Sequence, residues 1–428
     1  MAANMQSTLA HPNLYHGWKV LGAISLAGFL VYGGGLYSFV LFVTPLTREF
    51  GWTRAETSGI VSAFWLSAPL LIFGGMAMRR FGVTRLLAAG IILEALCVLM
   101  LANVSTLWQM YLLRAAMGFG KVMFGVTVPV TIARWFSRRF GLALGIAWAG
   151  WHIGGMVLAP LTQRIIDAFG WRTACVALGI ALVTLALGPV LWVQRIRSPA
   201  QLGLGLDGDE LEPGPIGTQS HDQIGPRTSV ALQVDGIGSL LRSTRFWLIV
   251  VATLFFYIVY GGLLTQQAAV VENSGYSARL ASIVLGSTAG FAALGCVGTG
   301  WLMDRASLLV SATLINGLLL FGAGALVTAT SCKSVLALVA YAACFGLAIG
   351  GSDVCFVKLM RDSFPHVKLE YTYSIWYCVE LLTLWLAPIA AGRIFDLSRS
   401  YTRTLELMVV CAAMAGVLSI IAARARTA

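Results

Sequence analysis

Apolar runs of twenty or more residues recur along nearly the whole chain, separated by short polar breaks. A helix rises ~1.5 Å per residue, so each run is long enough to cross the ~30 Å hydrocarbon core of a bilayer. Twelve spans are expected, numbered in chain order: 17–43, 58–78, 83–103, 107–132, 140–166, 172–194, 245–271, 279–303, 308–330, 334–360, 371–396 and 402–423. With 58% hydrophobic and 11% charged residues and a mean hydropathy of +0.81, a soluble domain of 428 residues is excluded. The runs are rich in Gly and Leu and do not alternate, which fits helices and excludes a β-barrel. The first run has no small-residue cleavage site and another follows at once, so it reads as a retained helix rather than a signal peptide.

A net charge of +11 raises the question of nucleic acid, and placement decides it. The basic residues gather in alternate loops: Arg79, Arg80 and Arg85; Arg134, Arg138 and Arg139; Arg195, Arg197, Arg242 and Arg245; Lys358, Arg361 and Lys368; Arg424 and Arg426. By the positive-inside rule those loops and both termini are cytoplasmic, so the excess is topological and no nucleic-acid partner is expected. "GRIFDLSRSYTR" runs against the rule locally. Seven of the eight cysteines fall within apolar runs and Cys332 in a loop, without paired spacing, so neither a disulfide framework nor a metal site is expected. No nucleophile with its base and no phosphate loop is present, which argues against an enzyme, and no cofactor is implied.

Between Arg195 and Arg245 hydropathy collapses into a stretch rich in Gly, Pro and acids, "SPAQLGLGLDGDELEPGPIGTQSHDQIGPRTS". It reads as a cytoplasmic linker, 196–244, between an N-terminal six-helix bundle, 1–195, and a C-terminal one, 245–428. Related sequences, "GGMAMRRFG" and "GTGWLMDRAS", close spans 2 and 8, as duplication requires. Six plus six helices is a transporter plan, with its site near mid-membrane between the halves.

These endings resemble the major facilitator superfamily signature, carried by Gly300, Asp304 and Arg305, with Arg79 at the acidic position of the first half. "RAAMGFG", with Arg114, Gly118 and Gly120, resembles a second superfamily element. The entry "RWFSRRF" and the helix after it, Trp135, Phe136, Arg138, Arg139, Leu142, Ala143, Gly145, Ala147, Ala149, Gly150 and Gly154, are similar to the monocarboxylate porter family. "HGWKV", "SPAQLGLGLDG" and "VELLTLWLAPIAAGRIFD" support its oxalate-formate antiporter-like bacterial branch. The resemblance implies an all-α membrane protein with twelve transmembrane helices in two pseudo-symmetric six-helix bundles, working by alternating access in a bacterial inner membrane. Arg138 and Arg139 either serve topology and packing, among lipid phosphates or on helix-end carbonyls, or form a gate with Asp304 and Arg305 that closes the cytoplasmic side. The family's arginine in span 8, eight residues before the signature acid, is Cys296 here, and its span 1 lysine is missing.

A charge at bilayer depth costs ~2.5–3.5 kcal/mol on insertion scales, so each one needs a partner, a cavity or a task. Arg114 and Lys121 lie seven apart on span 4, nearly on one helical face. Lys121 is the candidate for holding an anionic substrate, and Arg114 for coupling. His152 titrates near neutral pH and suits a proton relay. Asp353, after "GLAIGGS", and Glu380 are the other proton-handling candidates, and Asp353 has a fixed salt bridge to Lys121 as its alternative. Glu94 has the weakest case, since third spans of this fold lie peripherally. Tyr37, Trp151, Tyr257, Tyr260, Trp376 and Tyr377 fall inside spans and suggest a pocket for apolar or aromatic surface. The sequence thus predicts a proton-coupled symporter of an organic anion, such as a monocarboxylate or aromatic acid, in contact with lipid and without an obligate protein partner. An exporter of amphipathic compounds, an anion exchanger and a non-transporting receptor are the alternatives.

Overall fold

The computed structural model describes residues 15–52, 56, 59–60, 63–209, 238, 240–365, 367, 369–398 and 400–424. Most of the expected linker, 210–237 and 239, lies outside the described residues, as do Lys368, Arg426 and positions 1–14. The expected all-α architecture is found, and eleven helices among the described residues are long and apolar enough to span a bilayer. Span 2 makes the difference from twelve. It runs as a 3₁₀ helix, Phe64–Phe73, followed by an α-helix, Gly74–Phe81. Pro69 lies inside that segment and has no amide to give to an α-helical ladder.

Span 1 is longer and more broken than one helix over 17–43. An α-helix, His16–Leu30, passes into a π-helical turn, Val31–Tyr37, and a second α-helix follows, Val40–Phe50. The turn holds Gly33, Gly34 and Gly35. Gly33 lies so close to the backbone of Gly154 in span 5 that no Cβ fits between them. The Ser38 amide and hydroxyl both bond the Gly33 carbonyl, at 3.0 and 2.7 Å, and secure the widened turn.

Spans 3, 4 and 5 are Val83–Leu101, Leu107–Ala133 and Phe140–Phe169. Span 6 is Trp171–Ala181, a π turn at Leu182–Leu187, then Gly188–Val193. Spans 7 to 12 are Thr244–Asn273, Ala278–Met303, Leu308–Cys332, Val335–Ser363, Leu369–Ser398 and Thr402–Arg424. Cys332 therefore ends span 9 instead of sitting in a loop. Ser277, Ser307 and Ser334 each cap the helix that follows, accepting the amide three residues on.

Spans 5 and 8 pack along each other, as do spans 2 and 11, and these pairs join the first six helices to the last six. Gly145 faces the backbone of Cys296, and Gly141 and Gly300 face one another, with no room for a side chain at any of these points. Flat glycine faces let helices approach where lipid offers no hydrophobic drive. The helix ends that carry the basic loops gather together. Tyr15 donates to Trp135 O at 2.8 Å, Arg245 Nε to Ala422 O at 3.0 Å, and Arg361 lies 4.3 Å from the Phe140 ring centre. At the opposite end, Glu49 of span 1 accepts from Trp171 and Arg172 of span 6.

Candidate functional site

Lys121 stands at mid-depth on span 4, only 3% exposed. Its ammonium lies 5.0 Å from the ring centre of Tyr32, 4.8 Å from Trp65 and 5.8 Å from Tyr377, so an aromatic box drawn from both halves surrounds it. Ring faces stabilise a desolvated cation by ~2 kcal/mol, well short of the several kcal/mol that desolvation costs. Among the described residues the ion pairs are Arg138–Asp209, Arg172–Glu49 and Lys358–Asp362. The fixed Lys121–Asp353 bridge is therefore not formed. Glu380, Asp353 and Glu94 act on the ammonium only through space.

The acids come mainly from the second half. Tyr257 of span 7 donates to Asp353 Oδ1 of span 10 and lies 3.4 Å from the Ser352 hydroxyl. Glu380 of span 11 is buried, faces Tyr257, and has one carboxylate oxygen without a partner. Tyr37, Tyr260 and Cys296 lie around Asp353. The Cys296 thiol donates to Gly350 O at 2.9 Å, so it ties span 8 to span 10. The halves meet at Tyr32 and Tyr377, whose hydroxyls share a 3.1 Å hydrogen bond, and Tyr32 stacks on Trp151 with ring centres 3.8 Å apart. Trp376 is fully buried and donates to Thr253 at 2.8 Å, which places it in the wall behind Tyr257 and Tyr377.

Two other candidates are placed differently. His152 has neither a hydrogen bond nor a charged neighbour among the described residues. Arg114 is almost wholly buried. One of its terminal nitrogens donates to Gly35 O in the π turn at 3.0 Å, and its guanidinium lies 3.5 Å from the Phe39 ring centre and 4.5 Å from Phe64. Glu94 is not peripheral: it is 0% exposed, and its carboxylate presses on Gly35 and approaches Gly120. A single acid in a long apolar run does not reveal which face it occupies, so only the charge itself could have pointed to this site.

At the basic end, Asp304 accepts from the amides of Gly141 and Leu142, both at 2.8 Å, and so caps span 5 from the other half. Burial pushes its carboxyl up, and the two amides pull it back only in part. Asp207, after span 6, takes the preceding amides of Ser137 and Arg138 at 3.0 and 2.8 Å. Arg138 pairs with Asp209 in solvent, whereas Arg305 turns back over Trp301 of its own helix, 4.4 Å away, and bridges nothing. The Arg139 amide approaches Asp207 at 3.3 Å, and its side chain is exposed. Arg79, standing where the signature would have an acid, donates to Tyr371 of span 11 at 2.9 Å.

The described helices thus form a membrane-spanning bundle whose first and last six meet at the basic end and which carries an ionisable core at mid-depth. The chain belongs to the Major Facilitator Superfamily, whose sequence model matches residues 24–366. It is similar to Monocarboxylate transporter 3 of Rattus norvegicus, 26% identical over 401 residues that cover 90% of this chain and 75% of that protein. Monocarboxylate transporter 11 of Homo sapiens is 33% identical over 181 residues, 40% of this chain and 36% of that protein. The chain thus spans just over a third of that relative, and 42% of the Mus musculus protein of the same name. Among solved structures, the E. coli Fucose:proton symporter FucP superposes with a TM-score of 0.70 at 13% identity, covering 96% of this chain and 100% of that one. That likeness is one of fold.

Proposed function

We propose that this protein is a secondary active transporter that carries an organic anion together with a proton by alternating access. The observation that carries the reading is Lys121, a buried cation with an aromatic box and no ion-pair partner among the described residues, set opposite Asp353 and Glu380 across the half interface. A carboxylate entering the box supplies the missing counter-charge, and Tyr32, Trp65 and Tyr377 offer ring surface to its apolar part. In this reading 1–195 and 245–428 are the moving halves and 196–244 links them. The basic end and both termini face the cytoplasm of a bacterial inner membrane, so the contacts of Asp304 with span 5 and of Arg79 with span 11 close the cytoplasmic side.

Charge balance supports proton coupling. The core holds two bases, Arg114 and Lys121, and three acids, Glu94, Asp353 and Glu380. Uncompensated charge at this depth costs ~2.5–3.5 kcal/mol, so each moving state is close to neutral. The empty carrier is neutral with one acid protonated. With a monocarboxylate bound it is neutral only with two acids protonated. One proton therefore stays resident and one travels with each anion, which makes the cycle electroneutral. Uptake of radiolabelled monocarboxylates and aromatic acids into proteoliposomes, with and without a pH gradient, tests this. Accumulation driven by an inward proton gradient and indifferent to membrane potential is expected, and uptake unchanged when the gradient is collapsed would refute the symport.

A further inference from the structure

We propose that Glu94 holds the resident proton in this state, and that its protonation decides whether Arg114 grips the π turn of span 1. The inference rests on reading the charged core as the working part of a carrier, and it adds a site on span 3 that the charge balance alone does not assign. Of the three core acids Glu94 has the least support as an anion. Asp353 receives a hydrogen bond from Tyr257, and Glu380 faces the same hydroxyl. Glu94 has no hydrogen-bond partner on either oxygen and is 0% exposed. A neutral carboxyl is the form that such a place tolerates.

The carboxyl and the guanidinium converge on one residue. Glu94 presses on Gly35 from span 3, and Arg114 reaches the Gly35 carbonyl from span 4. They do not form an ion pair, and the Arg114 Nε is itself without a partner. The charges acting on Glu94 are Arg114 and Lys121, both from span 4. Cys97 stands one turn along its own helix, within reach of the Glu94 charge. Tyr32 of span 1 is turned to Tyr377, and span 6 brings Cys175 and Arg172, the latter bound to Glu49. When Glu94 loses its proton, Arg114 is the cation nearest to hand. Drawing it onto the carboxylate removes the donor from the Gly35 carbonyl. A π turn survives where its freed carbonyls find partners, so that loss shifts span 1 toward a regular helix. Proton release on span 3 thereby becomes a change of shape in a helix that packs on span 5 and lines the Lys121 box.

Infrared titration of the purified full chain in nanodiscs tests the site without any substrate. The wild type at neutral pH should show a carboxylic-acid C=O band that Glu94→Gln removes, and that charge-conserving changes at the other acids, Asp353→Glu and Glu380→Asp, leave in place. A band unchanged in Glu94→Gln, or one moved by Asp353→Glu or Glu380→Asp instead, overturns the assignment. Should the Gln variant fail to fold, Glu94→Asp must move the band, and an unmoved band has the same force. Spin-label distances between spans 1 and 5 supply the second readout. They should change as the pH is raised in wild type and Glu94→Asp, and stay fixed in Glu94→Gln; the same pH response in Glu94→Gln would refute the switch. A wild type that carries no anion at all would refute the transport reading while leaving these measurements to stand or fall on their own.

Discussion

The two halves divide the ionisable core unequally. Spans 3 and 4 bring both bases and one acid, Arg114, Lys121 and Glu94, whereas spans 10 and 11 bring two acids and no base, Asp353 and Glu380. Attraction between a basic face and an acidic face favours an occluded centre, yet Lys121 forms no ion pair with either acid of the other half. The difference teaches what each half is for in the proposed cycle: the first attracts the anion, and the second carries its proton. Every prediction below tries to erase or sharpen that division.

The largest effect is expected from removing the base. Lys121→Ala leaves Asp353 and Glu380 without their facing cation and the aromatic box without its charge. Breaking a buried charge pair costs ~3–5 kcal/mol, which is a loss of more than about a hundredfold in anion affinity. Thermal shift with a panel of carboxylates and initial uptake rates both read it. Wild-type affinity in this variant would show that the first half does not hold the anion.

Next come the acids of the second half. In the double variant Asp353→Asn/Glu380→Gln the proton that accompanies the anion has no seat left in the second half, so uphill uptake driven by a pH gradient should collapse, whereas either single substitution leaves one seat. Exchange of labelled for unlabelled anion, which needs no net proton movement, should persist. Comparison of gradient-driven uptake with counterflow in the same proteoliposomes separates the two, and loss of both to the same degree would count against proton handling by these residues.

The division was only partly legible in the sequence. Helices and span order could be read because hydropathy over twenty residues is set by the solvent, whatever the neighbours, and the family could be read from the motifs at Arg114, Trp135 to Gly154 and Asp304. Lys121, Asp353 and Glu380 could be read because a charge in hydrocarbon is conspicuous. What the sequence withheld depends on which face of a helix meets which neighbour. Glu94 looked peripheral and packs on Gly35, and His152, read as a relay candidate, makes no hydrogen bond among the described residues. Span 1 read as one unbroken run, and the π turn over "VYGGGLY" forms there because Gly154, Ser38 and Arg114 accommodate it. Trp376 carries the same aromatic signal as Tyr377, and a bond to Thr253 commits it to packing.

A middling effect is expected at the closed end. Asp304 accepts two free amides at the N-terminus of span 5, and losing a capping acceptor costs ~0.5–2 kcal/mol. Asp304→Ala should therefore shift the carrier toward an open basic end, read as faster labelling of cysteines introduced beside Gly141. Because burial holds this carboxyl up in the closed form, closure binds a proton. Its pH-dependent part is fully present below the open-state value and is lost as pH rises through the raised closed-state value. Wild type should therefore close more tightly on acidification through the carboxylate range. A labelling rate with the same pH slope in Asp304→Asn would assign that slope to another group.

The smallest effect belongs to the most conspicuous residues of the family resemblance. Arg138 meets Asp209 at 2.5 Å, but the two side chains are 70% and 57% exposed. Solvent-screened pairs contribute ~0–1 kcal/mol, so Arg138→Ala should leave the melting temperature of the purified protein nearly unchanged. Asp207 lies in the same strap and differs in kind. Its carboxylate takes the amides of Ser137 and Arg138 ahead of span 5, and its own amide donates to Trp135 O at 2.9 Å. Removing a capping acid costs ~0.5–2 kcal/mol, and Asp207→Ala should lower the melt measurably where Arg138→Ala does not. Tyr15 closes the strap from below, and burial pushes its phenol up to about 12, so it remains a donor to Trp135 at any working pH. If the two substitutions lowered the melt equally, the entry to span 5 would be held by its ion pair. If only Asp207→Ala did, the arginines would be left to orientation and lipid, and helix capping would hold the entry.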